Sequence, residues 1–176
     1  MTLTTDYVKF GTRFWEAFLP RFLLLTAAGV ISHFSKAQSN LEITAWAIAV
    51  IGLVIGFFAV VRARTFIYEV RFLDGNLLVA GSHYNTRWEK QFDIRTTVVQ
   101  IKSQGRGPGR VNYFLRMVSG GKKVDINRSL NWDYTALLTI FNEFKRNKGE
   151  KIIFDEKYYL EIMEKKEKAR NTSSNP

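Results

Sequence analysis

The sequence predicts an α+β protein: a two-helix transmembrane hairpin followed by a small antiparallel β-sheet or barrel domain that a C-terminal helix caps. Three observations carry this. Ile43 to Val61 is a run of 19 residues with no charge. From Thr65 the pattern changes to short alternating runs broken by turn residues. After Asn131 the apolar residues recur at helical spacing.

The long apolar run comes first because it is the strongest signal. A helix of that length is roughly 28 Å long, close to the roughly 30 Å of a bilayer's hydrocarbon core. Its isoleucines and valines do not oppose helix in lipid, where an unpaired backbone group costs several kcal/mol. A buried helix in a soluble core is the alternative, although a small domain rarely needs an all-round apolar helix. Gly52 and Gly56 form a GxxxG pair, which lets another helix approach, either the first helix or a partner's.

Phe22 to Ser35 forms a shorter uncharged run of 14 residues. Trp15, Phe18 and Leu19 lie just before it, interrupted by Pro20 and by Arg21, which is placed to snorkel toward headgroups. The span then begins before Pro20, or is short. A re-entrant or surface helix is the alternative. Phe10, Phe14, Trp15, Phe18 and Leu19 gather on one side of a helix. Residues 1–21 therefore read either as an interfacial amphipathic arm or as the first turns of the span. The polar link Lys36 to Glu42 suits a tight turn between antiparallel helices.

Flanking charge sets the orientation. Lys9, Arg13 and Arg21 precede the first helix and Arg62 and Arg64 follow the second, whereas only Lys36 lies in the link. The excess of basic residues places both termini in the cytoplasm and makes the chain a multi-pass protein of the cytoplasmic (inner) membrane. A cleaved signal peptide is disfavoured, because some 20 residues precede the first apolar stretch.

Six strands follow at residues 66–72, 77–84, 87–92, 97–102, 111–118 and 122–126. Asp74-Gly75 and Gly120-Gly121 mark hairpin turns. Asn131 is the expected cap of the next helix, with Asp133 in its first turn. Leu137, Leu138, Phe141 and Phe144 form its apolar face, and Gly149 ends it. A charged helix, Glu156 to Ala169, carries Tyr159, Ile162 and Met163 on one side. The expected boundaries are an arm (1–21), a hairpin (22–61), a cytoplasmic β domain with its capping helix (65–149), a charged helix (150–170) and a disordered tail (171–176).

The hairpin ending in Arg62-Ala-Arg64, the strand TFIYEVRF, the segment RWEKQFDIRTTVVQI, the strand YFLRMV and the helix WDYTALLTIFNEF carry a resemblance. Over roughly residues 20–147 the chain resembles bacterial membrane proteins with a pleckstrin-homology-like (PH-like) domain of the YcxB or DUF304 type. That resemblance implies a barrel-like sheet capped by a helix, and a largely undefined role. The first hairpin lacks the basic KxxxxR-like pocket, so no phosphoinositide role is carried over.

Few residues suggest chemistry. The chain has no cysteine and two histidines, which excludes a disulfide scaffold, a thiolate nucleophile and cysteine-ligated metal. His83 follows Ser82, but neighbours on a strand face opposite ways, against a dyad. No acidic pair has motif-like spacing, and no cofactor is expected. Gly105 to Arg110, GRGPGR, is not a P-loop, since no GK[ST] follows. It reads as a hairpin connection, or as a basic loop in which Lys102, Arg106, Arg110 and Arg128 contact anionic lipid or a partner. Net charge is +10 for the chain, and residues 65–176 hold 20 Lys/Arg against 13 Asp/Glu. A basic face beside a membrane explains this without nucleic acid. The expected role is a non-enzymatic membrane-anchored binding or scaffold module, an accessory subunit of a larger complex. Its partners would be membrane lipids and other membrane proteins or further copies of itself. Two alternatives stay open: an anionic-lipid-binding domain protein, and an enzyme or transport component that borrows a partner's residues.

Overall fold

The computed structural model describes residues 1–35, 41–105, 111–127 and 131–173. The described chain holds a short strand β1 (Thr2–Thr4), helices α1 (Phe10–Ser35) and α2 (Leu41–Ala63), and strands β2 (Thr65–Leu73), β3 (Asn76–His83), β4 (Thr86–Asp93), β5 (Val98–Gly105), β6 (Val111–Ser119) and β7 (Lys122–Ile126). Helices α3 (Tyr134–Lys148) and α4 (Phe154–Ser173) follow. They divide into two compact units that interleave along the chain. The first is Met1–Asp6, Ile67–Ser82 and Arg87–Pro176, and the second is Tyr7–Phe66 with His83–Thr86.

In the first unit the strands form two open antiparallel sheets. One has the order β1-β2-β3-β4 and the other β5-β6-β7. This corrects the expected fold. The sheet does not close into a barrel, because among the described residues β4 and β5 are not hydrogen-bonded neighbours, and the PH-like closure falls with it. Asp93 separates the two strands physically. Its carboxylate accepts from Arg95 N at 2.8 Å and its carbonyl from Thr97 N at 3.0 Å, which winds residues 93–97 into a turn between sheets. The α+β class stands. The expected transmembrane hairpin is also corrected: α1 and α2 are span candidates by length and composition alone.

Both sheets and α3 contribute to one core. Val70, Phe72, Leu77, Val79 and Phe92 come from the larger sheet, Val99, Leu115, Met117 and Ile126 from the smaller, and Leu137, Ile140, Phe141 and Phe144 from α3. The register of β6 explains its contribution. Tyr113, Leu115 and Met117 alternate inward, while Phe114 and Arg116 take the other face. There Arg116 pairs across the strands with Asp125, at 2.7 and 3.0 Å.

The segment before α3 is held by side chains that bind backbone. Asn127 (φ 73°) donates to Tyr113 O at 3.3 Å and accepts from Trp132 N at 3.0 Å. The Trp132 indole and the Asn131 amide both donate to Ile67 O, at 2.9 and 2.6 Å. Asn131 is therefore not the helix cap. Asp133 is, with its carboxylate accepting from Ala136 N at 2.6 Å. The competition went to the residue whose oxygen reaches the third amide of the first turn. Gly149 ends α3 in the left-handed region (φ 72°), and its N–H and that of Glu150 return to Arg146 O and Lys145 O.

Helix α4 docks by one side. Met163 is fully buried, Tyr159 meets Tyr113 with ring centroids 6.1 Å apart, and Glu167 accepts from Tyr134 N at 3.2 Å. The helix extends through Thr172, whose hydroxyl donates to Lys168 O at 2.9 Å, so it runs past Ala169 into the expected tail.

Candidate functional site

In the second unit, α1 and α2 pack along an aromatic ladder. Phe10, Phe14, Phe18 and Phe22 follow at i,i+4 spacing, so they line one face of α1. Phe14 and Phe18 are stacked at 5.4 Å, and Phe18 and Phe22 at 5.0 Å. The GxxxG glycines of α2 face this ladder. A Cβ added at Gly52 would meet Phe22 at 3.0 Å, and one at Gly56 would meet Phe18 at 3.7 Å. Both glycines therefore lie on the face of α2 that packs against α1. Helix α1 runs without a break from Phe10 through Pro20, so the aromatic arm and the first apolar stretch are one helix. The Arg21 guanidinium bonds back to Ala17 O.

The start of α1 is set by the turn between β3 and β4. Asn85 Oδ1 accepts from Phe10 N at 2.9 Å, a cap supplied from a distant part of the chain. The Phe10 ring meets Tyr84 edge-on at 5.0 Å, and Tyr84 (φ 54°) offers its carbonyl to Arg13 Nη2 at 2.8 Å. The Arg13 guanidinium lies 4.7 Å over the Phe66 ring. Sequence reading counted Arg13 only as flanking charge, because nothing near it in sequence announces Tyr84 or Phe66.

The rest of the hairpin surface is apolar and uncovered. Leu24 is 72% exposed, Phe34 83%, Leu53 76% and Phe57 65%. Trp15 and Trp46 are exposed as well. The helices supply 25 residues (Phe10–Phe34) and 22 residues (Glu42–Ala63), enough to cross a bilayer.

The first unit carries a second uncovered apolar feature, a ledge between α3 and α4. Ile152, Ile153, Phe154 (85% exposed) and Tyr158 all face outward. The ledge is held firmly from behind. Lys145 Nζ lies 3.1 Å from Glu150 and 2.8 Å from Glu156, and Lys148 Nζ lies 2.8 Å from Glu150. Glu156 also accepts from Ile153 N at 3.0 Å, which caps α4. Burial works against the Lys145 charge, but its hydrogen bonds to Glu156 and Glu150 prevail and raise its pKa above the ordinary lysine value. Hydrogen bonds from Lys148 and Lys145 lower that of Glu150.

Of the four residues expected to form a basic contact, Lys102 is exposed on β5, in register with Phe114. Its neighbour on that face, Arg116, is committed to Asp125. Arg106, Arg110 and Arg128 lie outside the described residues. His83 Nδ1 sits 3.2 Å from Thr65 Oγ1, and His33 meets the Phe34 ring edge-on. Among the described residues no group of three or more His, Asp or Glu side chains could hold a metal.

No family model, curated protein or solved structure matches this chain. The residues themselves give a small α+β module with two membrane-facing helix candidates and, among the described residues, no metal-binding cluster.

Proposed function

We propose that this protein is a membrane-anchored, non-enzymatic binding module of the bacterial cytoplasmic membrane. Helices α1 and α2 cross the bilayer as an antiparallel pair, and both termini lie in the cytoplasm. The observation that carries this reading is the uncovered apolar surface of α1 and α2, which lipid would cover and water would not. The basic residues Lys9, Arg13, Arg21, Arg62 and Arg64 at one end, against Lys36 at the other, support the orientation.

The module works as an accessory subunit of a larger membrane complex, and the ledge at Ile152 to Tyr158 is where a protein partner docks. Two features support this. The interior between the sheets is filled by side chains, and the exposed apolar strip is fixed in place by an ion-pair network. A fixed apolar strip loses little conformational freedom when covered.

The test is extraction of the tagged full chain in mild detergent, followed by sizing and identification of co-eluting subunits. The wild type elutes with a stoichiometric partner, and the Ile153→Ser/Phe154→Ser variant elutes without it while retaining its fold. A wild type that elutes alone, or a variant that keeps its partner, contradicts the docking reading.

A further inference from the structure

We propose that the C-terminal half of α4 is a basic docking element for anionic phospholipid headgroups. This rests on the membrane-anchored reading.

The charges of α4 are unevenly distributed. Residues 154–163 carry Asp155, Glu156 and Glu161 against Lys157, whereas residues 164–173 carry Lys165, Lys166, Lys168 and Arg170 against Glu164 and Glu167. Packing sharpens the contrast. Glu167 is turned inward onto Tyr134 N, and Lys166 bonds Val111 O and lies 5.1 Å from the Tyr113 ring centroid. Lys165, Lys168 and Arg170 remain exposed, with Glu164 beside Lys168 at 2.9 Å.

The place of this half-helix within the first unit decides what it meets. The chain enters that unit from α2 at Ile67. Ile67 O is bound by Asn131 and Trp132, Trp132 N is bound by Asn127, and Asn127 binds Tyr113 O. Tyr113 meets Tyr134 at 6.2 Å, and these are the neighbours of Lys166 and Glu167. The basic end of α4 is therefore at the end of the unit where the chain passes to the spanning helices. The acidic start of α4 is pinned to Lys145 near the close of α3, and Lys148 there bonds Thr97 O at 2.8 Å. Only Arg64 lies between α2 and β2 along the chain, which leaves the junction at Ile67 within a few residues of the end of α2. Basic side chains so placed gain from an anionic leaflet, and each contributes about fivefold to the docked population at low salt.

The experiment uses the full chain in vesicles of phosphatidylcholine, with or without phosphatidylglycerol. The chain has no cysteine, so Thr172→Cys takes a single fluorophore and Lys122→Cys, at the start of β7, serves as the control. A headgroup-nitroxide lipid reports proximity by quenching. We expect quenching at residue 172 that rises with phosphatidylglycerol, falls in high salt and is lost in Lys165→Gln/Lys168→Gln/Arg170→Gln, with the control unchanged. Equal quenching in both lipid compositions, or quenching that survives both salt and the triple substitution, overturns the proposal. Flotation of the chain with the vesicles after an alkaline wash reports anchoring separately. Loss of flotation defeats the anchored reading, whereas flotation without quenching defeats only this inference.

Discussion

At Ile67 a single carbonyl receives two side-chain donors, the Trp132 indole and the Asn131 amide. These bonds tie the segment before α3 to the strand by which the chain leaves α2. Trp132→Phe removes one donor and is expected to cost about 1 kcal/mol. Asn131→Ala added to it strips both, and the pair is expected to cost more than the sum of the single changes. Denaturant titration of the detergent-solubilised full chain, followed by circular dichroism, checks both. Acid acts at the corner between α3 and α4. Glu150 has its pKa lowered in the folded state, so its contribution is present above the unfolded value of about 4.3 and is lost as pH falls through the lower folded value. Lys145 has its pKa raised, so its contribution is lost only at high pH, as pH climbs through the folded value. Glu150→Gln is therefore expected to flatten the loss of stability below about pH 4. Amide exchange of Lys151 and Ile152, measured across that range in both proteins, checks it. Glu150 is largely exposed, so the effect is small and local.

At the scale of elements, the hairpin depends on flat rings meeting glycine. Gly52→Val places branched carbons where an added Cβ already meets Phe22 at 3.0 Å, and is expected to destabilise the helix pair by about 1–3 kcal/mol. Gly56→Ala, with 3.7 Å to Phe18, is expected to change stability by less than about 0.5 kcal/mol. Thermal unfolding in detergent distinguishes the two. Much at this scale was legible in the chain. The uncharged run of α2, the alternation of β2 to β7 and the Gly149 stop each follow from local rules of periodicity and backbone conformation. Three things were not. β1 has only Thr2 to Thr4, too short to show alternation, and its pairing with Glu69 to Arg71 is remote in sequence. The cap at Phe10 comes from Asn85, and the Asn131 amide serves Ile67 in place of a helix end. Each of these is a long-range hydrogen bond, which local pattern does not encode.

At the scale of the molecule, the strand pattern was readable but its closure was not. Alternation states that a strand has an inner and an outer face. It does not state whether the end strands meet, and here the turn at Asp93 to Thr97 divides the strands into two open sheets. The candidate site was legible in part. The apolar helices and the glycine pair were visible as composition, whereas the ledge was not, because the exposure of Ile152, Ile153 and Phe154 is set by tertiary packing that local pattern does not encode.

The anchored reading makes a directional claim that one measurement tests directly. Single cysteines at Ser39→Cys, in the link between α1 and α2, and at Lys122→Cys, in the sheet unit, are the only thiols in their chains. Intact cells are treated with a membrane-impermeant maleimide. The account predicts labelling at residue 39 and none at residue 122 until the membrane is opened. Labelling of residue 122 in intact cells, or recovery of either variant in the soluble fraction, would contradict it.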